Sequence, residues 1–294
     1  MEYQYHFNIA EIPMYWISEI PLTFSERYRP FLRSGEDVPE LVVRIVVGKP
    51  DRNTSGEILL HEEDRYRVEE DAVFRYRTFP YIAGDWENAT TLMRRKDCSD
   101  AYTIWLPEKM RNIFPKVENP FFYMAFDEML YLRGRIMLHA SYVETKSGAV
   151  LFTGPSGIGK STQAGLWEGC GYGKIMNGDR TILYEKDGTI FASGSPCAGS
   201  SHIYRNYQSP VRAVIVLEQG EENQIHRLVG RKCLFPLLKE STFSYMDEEM
   251  KRKQAELLFA VAERIPVYHY RCRKDESAVE YLYGLLQGGD TGIK

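Results

Sequence analysis

Apolar positions alternate with polar ones through much of the first hundred or so residues, which is the period of β-strands. Three stretches predict strands: ELVVRIVVG (40–48), RYRVEEDAVFRYRTF (65–79) and AYTIWLP (101–107), of which the last two alternate. Pro, Gly, Asp and Asn residues bound them, as turns require. The first stretch is apolar on both faces, so we predict a buried strand there. The aromatic residues of this region indicate either a plain β-platform or a ligand-binding aromatic face.

The pattern changes near residues 111–120, where RNIFPKVENP brings two prolines and an asparagine together. Such residues favour a connection over a helix or a strand. We therefore predict a β-rich N-terminal domain over 1–118 and a second domain over 119–294. In FFYMAFDEMLYLRGR (121–135) the apolar residues recur at helical spacing, which predicts a buried helix.

From residue 135 onward, short apolar runs alternate with amphipathic stretches. The predicted order is strand, strand, helix, strand, hairpin, strand, helix, helix, strand, helix. Such alternation is typical of an α/β domain with a largely parallel or mixed sheet. The fold class predicted for the chain is therefore α/β, preceded by a smaller β-rich domain.

Composition narrows the functional classes. The 294 residues carry 37 Lys and Arg against 41 Asp and Glu, for a net charge of −4, so no global charge attracts nucleic acid. No apolar run approaches the roughly 18 residues of a membrane span. The N-terminal residues lack the pattern of a secretory signal, and the five cysteines are widely spaced, which fits a reducing cytoplasm. We expect a cytoplasmic protein that binds neither nucleic acid nor a membrane.

One motif carries chemistry. Residues 149–168 read AVLFTGPSGIGKSTQAGLWE and contain the P-loop pattern G-x-x-x-x-G-K-[ST] between a predicted strand and a predicted helix. Its backbone N–H groups converge on phosphate oxygens, its lysine places a cation on the β- and γ-phosphates, and its serine hydroxyl is one ligand for Mg²⁺. The predicted phosphate-binding residues are Gly154, Pro155, Ser156, Gly157, Ile158, Gly159, Lys160, Ser161 and Thr162.

Phosphoryl chemistry at a P-loop also needs an acidic side chain from another part of the chain, and the sequence offers two candidates. Asp179 follows a short apolar pair in KIMNGDRTIL (174–183), although Asn-Gly-Asp is also what a tight turn favours. Glu218 ends the stronger apolar strand VRAVIVLE (211–218). On periodicity alone, Glu218 fits a strand-end acid better, but such an acid is often only a solvated cap.

The tract LHASYVETKSGAVLFTGPSGIGKST (138–162) resembles the catalytic domain of bacterial HPr kinase/phosphorylase. The wider group shares the nucleotide-binding fold of ATP-dependent phosphoenolpyruvate carboxykinase. The tract NGDRTILYEKDGTIFASGSPCAGSS (177–201) is similar to HPr-kinase-related proteins of bacterial gene clusters. The resemblance covers about residues 135–285 and implies ATP and Mg²⁺ as cofactors.

The resemblance also implies roles for individual residues. His139 matches the active-site histidine before the P-loop, and Asp179 matches the second acid of a paired Asp-Asp, whose first position is Gly178 here. The implied catalytic residues are then Asp179, His139 and Lys160, and the implied metal ligands are Ser161 and Asp179. Arg180, Ser195 and His202 are candidate substrate contacts, with ordinary loop polarity as the alternative for the last two.

Three functions follow as hypotheses. The first is a kinase that uses ATP and Mg²⁺ to phosphorylate a serine or other hydroxyl of a small protein, peptide or small molecule. The second is a nucleotide-binding switch or NTPase without an acceptor, which the loss of the first acid at Gly178 favours. The third, carboxykinase chemistry, needs a second metal site with Lys and His ligands that the sequence does not display. The expected partners are the nucleotide and the acceptor, with a homo-oligomer possible.

Overall fold

Strands form where the N-terminal apolar positions alternate. The computed structural model describes residues 1–35, 38–51, 56–62, 65–116, 125–197, 199–242 and 247–287. The chain divides into two units, Met1–Met129 and Leu130–Lys294. The predicted boundary at 118/119 lies outside the described residues.

The first unit is one mixed sheet of eight strands. In spatial order it runs β1-β2-β3-β8-β7-β6-β5-β4, with β2–β3 and β3–β8 parallel and the other neighbours antiparallel. The strands are β1 (Tyr3–Ile9), β2 (Ile12–Ser18), β3 (Leu41–Val47), β4 (Glu57–Glu62), β5 (Tyr66–Glu70), β6 (Phe74–Phe79), β7 (Thr90–Arg95) and β8 (Ala101–Leu106).

The β-rich prediction for this region is confirmed, with one correction. In β3, Leu41, Val43 and Ile45 are fully buried while Arg44 is exposed, so the strand is buried on one face rather than on both. The period of two places the arginine on the opposite face from its apolar neighbours.

A buried ion-pair network joins two strands of this unit to the helix that follows. Helix α1 (Phe126–Tyr131) carries Glu128, whose carboxylate accepts from Arg94 Nε at 2.9 Å and from an Arg77 terminal nitrogen at 3.2 Å. All three side chains are no more than 7% exposed. The helix is shorter than the predicted 121–135: residues 121–124 lie outside the described part, and the chain turns at Gly134, which has φ +65°.

The second unit contains a nine-stranded mixed sheet with helices on both faces. Its predicted element order is confirmed, and β15 and the short β16 are additions. The elements are β9 (Arg135–Thr145), β10 (Gly148–Thr153), α2 (Lys160–Gly169), β11 (Lys174–Asn177), β12 (Arg180–Lys186), β13 (Thr189–Ser193), β14 (Gln208–Gln219), β15 (Gln224–Leu228), α3 (Arg231–Glu240), β16 (Ser241–Thr242), α4 (Glu248–Arg264), β17 (Val267–Cys272) and α5 (Glu276–Gln287).

Two long strands organise this sheet. The first half of β9 pairs with β12 and its second half with β10, while β14 pairs first with β13 and then with β10 and β17. Among the described residues of this sheet, the parallel pairings are β10–β14 and β14–β17. The pairings β10-β9-β12-β13-β14 form a closed ring, because β14 also pairs with β10. Strand β12 and the P-loop strand β10 therefore pair with opposite halves of the same strand, β9.

Strand β10 is apolar on both faces because helices cover both. Ala149 and Leu151 lie in the core with α3 and α4, whereas Val150 and Phe152 lie in the core with α2 and α5. The alternation of side chains across a strand accounts for this division. Among the described residues, no helix is both long and apolar enough to cross a membrane.

Candidate phosphate-binding and catalytic site

The loop after β10 depends on glycine conformations. Gly154, Gly157 and Gly159 have φ of +140°, +79° and +116°, a region that other residues rarely adopt. A Cβ at Gly154 would lie 3.3 Å from Ile158 Cγ2, whereas at Gly157 and Gly159 it would meet nothing within 4 Å. The glycines thus turn the backbone around an open concavity at the start of α2.

Helix α2 presents amide groups to that concavity. Its first intrahelical hydrogen bond is donated by Gln163 N to Gly159 O at 2.9 Å. The amides of residues 160–162 therefore have no acceptor within the helix, and the helix dipole adds positive potential there. The Gln219 side chain donates to the carbonyls of Gly157 and Ile158 at 3.2 and 3.1 Å, which fixes the loop from the end of β14.

Lys160 lies at the base of the loop and is 6% exposed. Its Nζ donates to Gly154 O at 2.8 Å and to Pro155 O at 3.1 Å, and an ammonium has three donors, so one remains. Burial lowers the pKa of Lys160, while the Asp179 and Glu240 carboxylates act in the opposite direction. The ammonium is therefore a cation inside the protein that an anion at the loop would stabilise.

Strand register brings His139 beside the loop. Thr153, the last residue of β10, pairs with Ala140, and its hydroxyl donates to His139 O at 3.0 Å. His139 itself pairs with Arg180 at the start of β12. Asp179 immediately precedes that position, so the β9–β10 and β9–β12 pairings together place it beside the P-loop.

A chain of ionisable side chains results. His139 Nε2 lies 3.0 Å from Asp179 Oδ1, and His139 Nδ1 lies 2.9 Å from Glu240 Oε2 at the end of α3. A neutral imidazole has one N–H, so satisfying both carboxylates requires either an imidazolium or a protonated carboxyl group. Arg180 Nε approaches Asp179 Oδ2 at 3.3 Å. Both Asp179 oxygens are thus engaged.

The charge of Asp179 is stabilised by these neighbours. Burial alone would raise the pKa of the Asp179 carboxyl group, but the hydrogen bond from His139 and the charges of Arg180, His139 and Lys160 outweigh burial and lower it. The side chain is 26% exposed, which leaves access for a reactant. This carboxylate can bind a cation or accept a proton.

The Asn-Gly-Asp segment is both a turn and part of the site. Asn177 Oδ1 accepts from the amides of Asp179 and Arg180 at 3.0 and 2.7 Å, and its Nδ2 donates to Ser195 O at 3.0 Å. Ser141 Oγ donates to Gly178 O at 2.7 Å. The turn composition therefore serves to orient the carboxylate.

The other predicted residues are distributed as follows. Ser161 and Thr162 are exposed in the first turn of α2. Ser195 is fully buried, and its hydroxyl oxygen lies 2.5 Å from Arg180 O and 3.0 Å from Cys197 O, either of which can accept its hydrogen, so it braces the turn. His202 is exposed and has φ +53°.

Glu218 lies apart from this cluster. It ends the strand that runs parallel to β10, but its carboxylate pairs with His269 Nε2 at 2.9 Å and lies 3.7 Å from Arg271 Nε. Its side chain is 51% exposed. Its position at the end of a strand is as expected, whereas its partners are those of a solvated ion pair.

Glu240 and Gln219 are site residues that the sequence did not indicate. Glu240 is separated from His139 by 101 positions and ends an otherwise ordinary amphipathic helix. Gln219 directly follows Glu218. Only the register of distant strands reveals these contacts.

The residues of this site fit a nucleoside triphosphate with Mg²⁺. The glycine concavity, the free helix amides and Lys160 provide the donors that phosphate oxygens need. Among the described residues, no group of three or more His, Cys, Asp and Glu side chains could hold a metal. Mg²⁺ does not require one, because it is commonly held by one or two protein oxygens, waters and the phosphates, and Ser161 and Asp179 offer such oxygens.

Comparisons with known proteins show likeness to solved structures. No family model matches the chain, and no curated protein matches it. The solved structure of the HPr(Ser) kinase/phosphatase from Coxiella burnetii is 15% identical and aligns over 52% of this chain and 99% of that chain, with a TM-score of 0.32. At that TM-score the likeness carries no weight for function.

Proposed function

We propose that this chain is an ATP- and Mg²⁺-dependent phosphotransferase of the HPr-kinase-like group, which transfers the γ-phosphoryl group to a serine or other hydroxyl. The observation that carries the proposal is the meeting of two features at the end of β10. The buried ammonium of Lys160 lies in a glycine loop, and the Asp179–His139 pair is held beside that loop by strand register. The resemblance of 138–162 to HPr kinase is consistent with it.

The roles of the residues follow from their contacts. Residues Gly154–Thr162 bind the phosphates through amides, and Lys160 turns its ammonium toward the β- and γ-phosphate oxygens. Ser161 and Asp179 would hold Mg²⁺, which would supply neutralisation of the phosphate charge. Phosphoryl transfer depends mainly on such positioning and charge stabilisation.

Asp179 accepts the proton of the attacking hydroxyl. The hydroxyl oxygen forms a bond to the γ-phosphorus as the bond to the β–γ bridging oxygen breaks, so ADP leaves with that electron pair. His139 orients the Asp179 carboxylate, and Glu240 holds the imidazole from its other side. Arg180 balances negative charge at the same carboxylate.

A nucleotide-binding switch or NTPase without an acceptor is the second candidate. Gly178 occupies the position of the family's first acid, and both Asp179 oxygens already have partners in His139 and Arg180. This arrangement leaves fewer carboxylate oxygens for metal and proton than a paired-acid site would. The two candidates differ in whether a phosphorylated product forms.

The test is transfer from γ-labelled ATP with Mg²⁺ to free serine, serine-bearing peptides or a cell extract. Two carboxylate-to-amide variants form a matched pair. Asp179→Asn should lower turnover by about 10²–10⁴-fold with nucleotide binding retained, whereas Glu218→Gln should stay near wild type. Loss of transfer in Glu218→Gln alone would overturn the assignment of the acid. Absence of label in every acceptor, with Mg-ATP binding confirmed, would favour the switch.

A further inference from the structure

An open cavity of about 430 Å³ lies in the second unit on the side of the sheet that helix α3 covers. Strands β14, β15 and β17 line it together with the first half of α3. Its size is within the range that binds small ligands or a few side chains of a partner. The lining includes Val216, His226, His269, Arg231, Lys232 and Phe235.

Two elements connect the lining of the cavity to the proposed site. Val216 pairs with Thr153, the residue directly before the P-loop. Helix α3, which begins at the cavity, ends at Glu240, the partner of His139. From Phe235 to Glu240 the helix advances about 8 Å at roughly 1.5 Å per residue. The lining of the cavity therefore includes a strand residue paired with the end of β10, and the helix that leads to the partner of His139.

The lining combines free cations with exposed apolar surface. Arg231 and Lys232 are exposed, and neither has an ion-pair partner among the residues that the structure describes. Phe235 is 70% exposed, and Val229 just before the helix is 68% exposed. The nearby carboxylate of Glu218 is already paired with His269 at 2.9 Å.

These features complement an acidic and apolar partner. Opposite charge across an interface steers association and selects among partners. Exposed aromatic side chains beside a pocket are typical of surfaces that bind other proteins. A basic or wholly polar segment would leave Phe235 uncovered or place like charges against Arg231 and Lys232.

We propose that this cavity docks the acceptor, and that the docked part is a peptide segment with an acidic residue beside an apolar side chain. The inference rests on the proposed function, because it takes the cavity as the acceptor side of a phosphotransfer site. The target hydroxyl then lies within a few residues of the docked segment. Recognition is separate from the chemistry of Asp179 and Lys160.

The test measures peptide binding to the full chain without nucleotide, by fluorescence anisotropy. The probes are short labelled peptides with one serine, two aspartates and a phenylalanine, a version with lysines for the aspartates, and a version with alanine for the phenylalanine. The variants are Lys232→Glu and Phe235→Ala. The matched control is Lys146→Glu, which reverses an exposed lysine in the turn before β10, at the opposite end of that strand from Thr153.

We expect the acidic peptide to bind wild type in preference to the other two. Lys232→Glu should weaken it about fivefold and favour the lysine peptide, and Phe235→Ala should weaken it about tenfold. Lys146→Glu should change nothing. Equal binding of acidic and basic peptides, equal loss in Lys146→Glu and Lys232→Glu, or no binding would overturn the docking proposal.

The transfer assay separates the two proposals. Binding of the acidic peptide with no phosphorylation of any acceptor would refute phosphotransfer and leave the cavity as a peptide site. Phosphorylation of a hydroxyl compound with no peptide binding would refute the cavity assignment and leave phosphotransfer intact.

Discussion

Replacing His139 with alanine tests the geometry of the candidate site by itself. In the structure the imidazole lies between the carboxylates of Asp179 and Glu240, at 3.0 and 2.9 Å. The Glu240 side chain is 9% exposed and that of Asp179 is 26% exposed. The variant therefore leaves the buried carboxyl group of Glu240 without its hydrogen-bond partner, and it also removes a partner from Asp179, which water reaches in part.

The magnitude follows from that difference in exposure. Leaving a buried polar group without its hydrogen-bond partner costs about 1–3 kcal/mol, and more where the group is charged. Water can replace part of the lost hydrogen bonding at Asp179, because that side chain is partly exposed. We therefore expect His139→Ala to lower the free energy of unfolding by about 2–3 kcal/mol at pH 7.

The assay is urea-dependent hydrogen exchange of β9 and α3, which reports the second unit alone. The control is the double variant His139→Ala/Glu240→Gln, because an amide needs no cation. We expect it to regain about 1–2 kcal/mol relative to His139→Ala. A double variant that is less stable than His139→Ala would refute the pairing of Glu240 with the imidazole.

Three further predictions concern single positions. The pKa of Asp179 is lower in the folded protein than its ordinary value of 3.8. Its contribution to stability should therefore be full above pH 3.8 and disappear as the pH falls through the folded pKa. Urea unfolding of Asp179→Asn across about pH 2–6 should lack this acid-dependent loss. Gly159→Ala should lower the free energy of unfolding by about 1–3 kcal/mol through strain at φ +116°, and it should weaken ATP binding. Gly165→Ala within α2 should raise the free energy of unfolding by about 0.5–1 kcal/mol. Thermal unfolding measures both changes in stability. Glu128→Gln should destabilise the first unit by about 3 kcal/mol in urea, because its two arginine partners stay buried.

The sequence predicts the P-loop and its flanking elements because their signals are local. Apolar residues on both faces of β10, glycines at turning positions and a helix without a breaker before Gly165 all lie within some twenty residues. The acid has no such local signal. Periodicity favours Glu218 and the resemblance implies Asp179, and the pairing of β9 with both β10 and β12 places Asp179 beside the loop.

Long-range contacts account for what the sequence could not show. Glu240 reaches His139 across 101 positions, and no local pattern marks the end of α3 as part of a site. Most residues of the short strand β15 are polar and exposed, so its apolar periodicity is too weak to predict a strand. Ser195 lies in a sequence typical of a surface loop, yet it is buried and hydrogen-bonded to Asn177.

The central claim is that Gly154–Thr162 holds nucleotide phosphates with the Lys160 ammonium. Calorimetric titration of Mg-ATP into wild type and Lys160→Ala tests it most directly. A charge-assisted hydrogen bond contributes about 1.5–3 kcal/mol, so the account predicts that the variant, folded as judged by its unfolding curve, binds Mg-ATP about 10–150-fold more weakly. Equal affinity in the two proteins would contradict the account.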